Sequence, residues 1–83
     1  MDQFEIKIDY EMADKITLAN LKESYESLNE SIRSLKARVK KGEYLERYER
    51  EDMRDFKRHR KAIKRTMMYY MDPMQQEEYF NAN

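Results

Sequence analysis

The sequence predicts a mainly α-helical protein: a short N-terminal β-strand, a long antiparallel helical hairpin and a short C-terminal helix, in one domain over residues 1–83. Three observations support this prediction. Apolar residues recur at alternating spacings of three and four along most of the chain. One Gly and one Pro among 83 residues provide few turns for a many-stranded fold. Charged residues make up 41% of the chain, which suits helices with solvated outer faces.

Residues 3–9 are predicted to form the strand. Phe4, Ile6 and Ile8 alternate with charged residues, which is the period of a strand with one buried face. A lone strand leaves its backbone hydrogen-bonding groups unpaired, so it needs an edge from elsewhere. Two alternatives stay open. The strand pairs with the same strand of a second copy about a two-fold axis, or it lies as an extended arm on the helices.

Residues 10–41 are predicted to form the first helix, because Gly42 can take the left-handed conformation that ends a helix and Asp14 suits the start. One face carries an uninterrupted heptad pattern, here called the apolar seam: Leu18, Leu21, Tyr25, Leu28, Ile32, Leu35 and Val39. A stripe of small polar side chains flanks the seam: Thr17, Asn20, Ser24, Ser27, Ser31 and Ser34. The stripe indicates either a solvated face or a close helix–helix contact.

Residues 42–50 are predicted to reverse the chain, because their apolar phase does not match that of residues 51–71. The second helix is expected over residues 51–71. Its seam is looser and richer in methionine than the first, with Arg60 in one core position: Met53, Phe56, Arg60, Ile63, Met67 and Tyr70.

A short helix is predicted over residues 73–80. Asp72 can cap it, Pro73 fits the first helical position, and Gln75 completes a capping box. The aromatic pair at its end, Tyr79 and Phe80, is the expected docking point, and residues 81–83 are expected to fray.

Two helices cannot enclose a complete core, because each seam keeps an open flank. We therefore expect the hairpin to form a homodimer that builds a four-helix bundle, or a larger oligomer.

The charges are unevenly distributed, and this pattern has two interpretations. Residues 1–30 carry eight acids and three bases, whereas residues 31–65 carry fourteen bases and six acids. A basic run on the second helix is a candidate face for nucleic acid or nucleotide phosphates, formed by Lys57, Arg58, Lys61, Lys64 and Arg65. Alternatively, the hairpin matches its charges internally. Bases of 57–65 would then meet Glu23, Glu26 and Glu30, and bases of 33–41 would meet acids of 43–55.

The chain is rich in tyrosine and methionine, with seven of each. Such side chains favour protein interfaces, because they bury a large area at little ordering cost. The candidate surface for a partner or a second copy combines the strand with the end of the second helix: Phe4, Ile6, Ile8, Met67, Met68, Tyr69, Met71 and Tyr79. The alternative is that this part of the second helix is buried on two sides within an oligomer.

The residue types argue against catalysis. The chain has no cysteine and one histidine, and His59 with Asp55 one turn away provides two metal ligands at most. No glycine-rich phosphate loop is possible with one glycine, and the serines have no neighbouring base. We expect no enzyme activity, no catalytic or metal site, no cofactor and no membrane span, and a cytoplasmic location.

The segment Asp9–Lys22, introduced by an alternating strand, resembles the opening of small uncharacterised helical-hairpin proteins of tailed bacteriophages. These have an acidic strand and then a helix with an A-D-K/R-I-x-x-A-x-L-K pattern, and Tyr69-Tyr70 matches the aromatic pair that often ends their second helix. Residues 42–55 have no counterpart. The resemblance implies a phage accessory protein that acts in the host cytoplasm.

Together these observations lead us to expect a non-enzymatic, homo-oligomeric helical protein that binds another macromolecule. The first hypothesis is an inhibitor that binds a host or defence protein directly. The alternatives are a nucleic-acid-binding or nucleotide-sequestering module that uses the basic face of the second helix, and a structural or assembly component of the phage particle.

Overall fold

The computed structural model describes residues 10–81 of the chain, with side chains from residue 12 onward. It contains three helices: α1 over Tyr10–Lys40, α2 over Arg47–Tyr70 and α3 over Pro73–Phe80. The predicted mainly helical class is confirmed. The predicted strand over residues 3–9, with Phe4, Ile6 and Ile8, lies outside the described residues. No helix in the described part of the chain is both long and apolar enough to cross a bilayer.

The end of α1 is set by Gly42, as the sequence predicts. Gly42 has a φ of +88°, in the left-handed region that other residues rarely adopt. The amide of Glu43 donates to the carbonyl of Arg38 at 3.0 Å, and the amide of Gly42 donates to the carbonyl of Val39 at 2.9 Å. This pair of bonds is a Schellman motif, which satisfies carbonyls that the helix end would leave unpaired.

The reversal is shorter than the predicted range of 42–50, because α2 begins at Arg47 rather than at residue 51. Two local features cause the early start. The Glu49 carboxylate accepts a hydrogen bond from the amide of Glu46 at 2.9 Å, which closes the first turn. The side chain of Leu45 is buried just before the helix and anchors the turn.

The start of α3 agrees with the sequence prediction. The Asp72 carboxylate accepts from the amide of Gln75 at 2.8 Å, and the Gln75 side-chain oxygen accepts from the amide of Asp72 at 3.0 Å. Pro73 occupies the first turn. Gln76 also donates to the carbonyl of Met71 at 3.0 Å, so α3 helps to satisfy the polar groups just beyond the end of α2.

Helices α1 and α2 pack side by side in opposite directions. Arg60 donates to the Asn29 side-chain oxygen at 2.9 Å midway along the pair, and Arg38 binds Glu49 near the turn. Ile32, Met67 and Met71 are buried between the helices, together with Leu45 of the turn. The other members of the apolar seam are half-buried, except Val39, which is exposed near the end of α1.

Candidate functional site

A polar cluster fixes the turn end of the hairpin. The Arg38 guanidinium binds both carboxylate oxygens of Glu49 across the two helices, and its Nε donates to Glu43 at 3.1 Å. The Glu49 side chain is 14% exposed. The hydrogen bond to Glu49 is the main reason why the pKa of Arg38 is raised, and the same bond lowers the pKa of Glu49 below its ordinary range. This cluster confirms the predicted match between bases of 33–41 and acids of 43–55 at one point.

An aromatic cluster holds α3 against α1 at the other end. The Phe80 ring lies edge-on to Tyr25, with 5.5 Å between centroids, and the Tyr79 centroid is 6.1 Å from that of Tyr25. The Tyr79 hydroxyl donates to the Glu26 carboxylate at 2.7 Å. Burial raises the pKa of Tyr79, and the bond to Glu26 raises it further. The expected docking of α3 through Tyr79 and Phe80 therefore takes place within the chain.

Two lysines border this aromatic cluster. The Lys22 Nζ lies 5.1 Å from the centre of the Tyr79 ring, and the Lys64 Nζ lies 4.8 Å from the centre of the Phe80 ring. Each is within the distance at which a cation is attracted to an aromatic face. These contacts connect α3 with both long helices.

The structure divides the candidate partner surface of α2 and α3. Met67 and Met71 are buried within the hairpin, so they cannot form the outer surface that the sequence suggested, and Tyr79 contacts α1. Met68 is 44% exposed and Tyr69 is 87% exposed. The helical period explains the division, because residues 67 and 71 are one turn apart and share the face that points toward α1.

The basic residues of α2 form an exposed face, here called the basic stripe: Arg54, Lys57, Arg58, Lys61, Lys64 and Arg65. At 100° per residue these six positions occupy an arc of about 120°, away from the face that carries Ile63 and Met67. The stripe extends about 16 Å along the helix. Within the described residues, its one ion pair is a contact of 3.8 Å between Arg58 and Asp55 on the same helix.

The predicted match between these bases and the acids of α1 does not take the form of ion pairs. Glu30 pairs with Arg33 on its own helix at 2.9 Å, Glu26 accepts the Tyr79 hydroxyl, and Glu23 is exposed. Among residues 12–81 no ion pair joins these acids to the basic stripe. The polar link across this part of the hairpin is the neutral acceptor Asn29, which binds Arg60.

Met68 and Tyr69 continue the basic stripe, and the sequence interpretation missed this connection. Together with Arg65 they line a shallow open depression on the surface of α2. Residues 65, 68 and 69 are three and four apart, so they share one helical face. The sequence interpretation grouped the methionines and tyrosines of 67–71 together. The spacing of three and four from Arg65 is the signal that separates Met68 and Tyr69 from the buried Met67 and Met71.

A second exposed feature is a groove between α1 and α2 on the side opposite α3, here called the serine-side groove. Its apolar lining consists of Leu35 and Phe56, which are half-buried, and of Tyr48, which is 63% exposed. Ser31 and Ser34 line the α1 side, and three acids also line the groove: Glu30, Glu49 and Asp52. The stripe of small polar residues is therefore next to apolar side chains that α2 covers only partly.

The chemistry of the site is that of contact surfaces. Within the described ranges, no three His, Cys, Asp or Glu side chains are placed to hold a metal ion. His59 is exposed. What the geometry offers is an aromatic cluster that closes one flank, a partly apolar groove on the other flank, and a basic outer stripe that ends in Met68 and Tyr69.

Comparisons with protein-family models, with curated proteins and with solved structures find no match to this chain.

Proposed function

We propose that this protein is a non-enzymatic helical protein that acts by binding, and that two copies associate through the serine-side groove into a four-helix bundle. The observation that carries the proposal is the partial exposure of apolar side chains along this groove. Leu35 and Phe56 remain half-buried after α1 and α2 have packed, and Tyr48 is largely exposed. Removing such surface from water is favourable, at roughly 25 cal/mol for each Å².

The small side chains of Ser31 and Ser34 support close packing at this groove. They let a neighbouring helix approach nearer than longer side chains would allow. A two-fold axis places the same groove on both copies, so each copy covers the apolar side chains of the other. Because α3 already covers the opposite flank through Tyr25 and Phe80, the groove is, among residues 12–81, a flank that a second copy can cover.

The proposal includes the role that the resemblance of Asp9–Lys22 implies. The dimer acts in a bacteriophage-infected cell as an accessory protein, and it inhibits a host or defence protein by direct binding. We expect the immobilised dimer to retain that partner from a host lysate. A variant that does not dimerise should not retain it.

The dimer is tested by light scattering during size-exclusion chromatography, over a range of micromolar concentrations. Ser34→Arg introduces a long charged side chain into the groove, where nearby acids keep the single chain stable. We expect this variant to weaken self-association at least tenfold while its helical circular dichroism is retained.

Ala37→Arg is the matched control, because it introduces the same side chain on the same helix at an exposed position that does not line the groove. This variant is expected to associate as the unchanged protein does. A well-folded monomer for the unchanged chain throughout the concentration range contradicts the proposal, as does an equal loss of association in both variants.

A further inference from the structure

The basic stripe of α2 has a composition that the hairpin itself does not require. Its residues repel one another within the helix, because several pairs are three or four positions apart: Arg54–Arg58, Lys57–Lys61, Lys61–Lys64 and Lys61–Arg65. Like charges at these spacings destabilise a helix. The stripe is therefore unfavourable for the isolated fold, and among the described residues it carries a single weak ion pair. These two features are typical of a site for an anionic partner.

The exposed aromatic side chain at the end of the stripe restricts the class of partner. Tyr69 is 87% exposed, and it lies one helical turn beyond Arg65 with Met68 beside it. An unstacked base can lie on such a ring, and this contact tolerates any base because every base has a π-face. An acidic polypeptide satisfies the charges but has no corresponding use for the ring.

We propose that the basic stripe binds single-stranded nucleic acid. Lys57, Lys61 and Arg65 contact successive phosphates along α2, and the Tyr69 ring stacks on a base at the end of the stripe. A duplex keeps its bases stacked inside, so it offers this ring no partner. The stripe does not include any residue that lines the serine-side groove, and the proposal is independent of self-association.

The first test measures binding of a fluorescently labelled 20-nucleotide single strand by anisotropy. With the three phosphates contacted by Lys57, Lys61 and Arg65, affinity should fall about 20-fold between 50 and 200 mM salt. Lys57→Glu/Lys61→Glu should reduce affinity at least tenfold at 50 mM salt. This pair is chosen over Lys64, whose contact with the Phe80 ring would confuse binding with the docking of α3.

Lys15→Glu/Lys41→Glu is the matched control. It changes the net charge by the same amount, at exposed positions outside the stripe. Affinity within threefold of the unchanged protein is expected for this variant. The absence of salt-dependent binding at 50 mM salt, or an equal loss in both double variants, overturns the proposal.

The second test separates single-stranded nucleic acid from other polyanions. Tyr69→Ala should weaken binding about fivefold or more. Tyr44→Ala, which removes a ring that is 91% exposed in the turn, should not. Competition by a duplex of the same length, or by polyglutamate, should require a higher concentration than competition by the unlabelled strand. Equal competition by polyglutamate, or no effect of Tyr69→Ala, overturns the proposal. Light scattering of the same variants reports self-association separately.

Discussion

At the scale of single residues, Gly42 in the turn and Glu49 in the first turn of α2 help to set the geometry of the hairpin. Gly42 ends α1 with a positive φ, and Glu49 connects the start of α2 to Arg38. Both act through the backbone or through charged hydrogen bonds rather than through apolar burial. Substitutions at these positions therefore test the turn without removing side chains from the core.

Gly42→Ala should destabilise the protein by about 1–2 kcal/mol, because an alanine in the left-handed region brings Cβ close to the backbone. A Cβ at this position has no other heavy atom within 4 Å, so the effect comes from the backbone alone. Urea unfolding measures the change. Gly42→Asn is the control, since asparagine tolerates this conformation, and it should be closer to the unchanged protein. Equal stability of all three chains contradicts the role of Gly42.

Glu49 should contribute a pH-dependent part of the stability. Its pKa is lower in the folded chain than the ordinary value of about 4.3, because Arg38 and the amide of Glu46 bind the carboxylate. At pH values between these two pKa values, the unfolded state therefore binds more protons than the folded state. The contribution is fully present above the ordinary pKa and is lost as pH falls through the lowered pKa of folded Glu49.

Urea unfolding at a series of acidic pH values measures this contribution. Glu49→Gln should show a shallower loss of stability toward low pH than the unchanged protein. Glu77→Gln, which removes an exposed acid on α3, is the control and should keep the original slope. The same slope in all three proteins means that the Arg38–Glu49 pair has no net effect on the pH dependence.

At the scale of elements, α3 depends on its aromatic contacts, since eight residues are too few for a helix that is stable alone. Phe80→Ala removes the ring that contacts both Tyr25 and Lys64. We expect hydrogen-exchange protection of the α3 amides to fall roughly tenfold, about 1.4 kcal/mol, while α1 and α2 keep theirs. Met74→Ala is the control, because Met74 is an exposed apolar residue of the same helix. Protection unchanged by Phe80→Ala contradicts this docking role.

The elements also show which features a sequence can reveal. The start of α3 depends on neighbours in the chain, Asp72, Pro73 and Gln75, so local chemistry was sufficient to predict it. At the start of α2 the bond from the Glu46 amide to Glu49 is also local, whereas the bond from Arg38 to Glu49 joins the two helices. Within the sequence, Glu49 is one acid among several, and its partner eleven residues earlier becomes evident only when the helices have packed.

At the scale of the whole molecule, the rotation of α2 about its own axis decides the use of its charges. The sequence interpretation placed the bases of 57–65 next to acids of α1, because it matched blocks of charge along the chain without assigning each base to a face of the helix. In the structure Arg60 faces α1 and binds Asn29, while Lys57, Lys61 and Arg65 are exposed. Rotating α2 by about half a turn about its own axis would turn the exposed basic stripe toward the acids of α1.

The burial of Met67 and Met71 beside the exposure of Met68 and Met74 has a chemical consequence for the hairpin. Oxidants convert accessible methionine to its sulfoxide, which is too polar for a packed interior. In dilute hydrogen peroxide, the exposed Met12, Met68 and Met74 should therefore react before Met67 with little loss of helix, and mass spectrometry of the peptides resolves the order. Met67 should react only as fast as the two long helices separate, so the rate at which its sulfoxide forms measures the rate at which the hairpin opens.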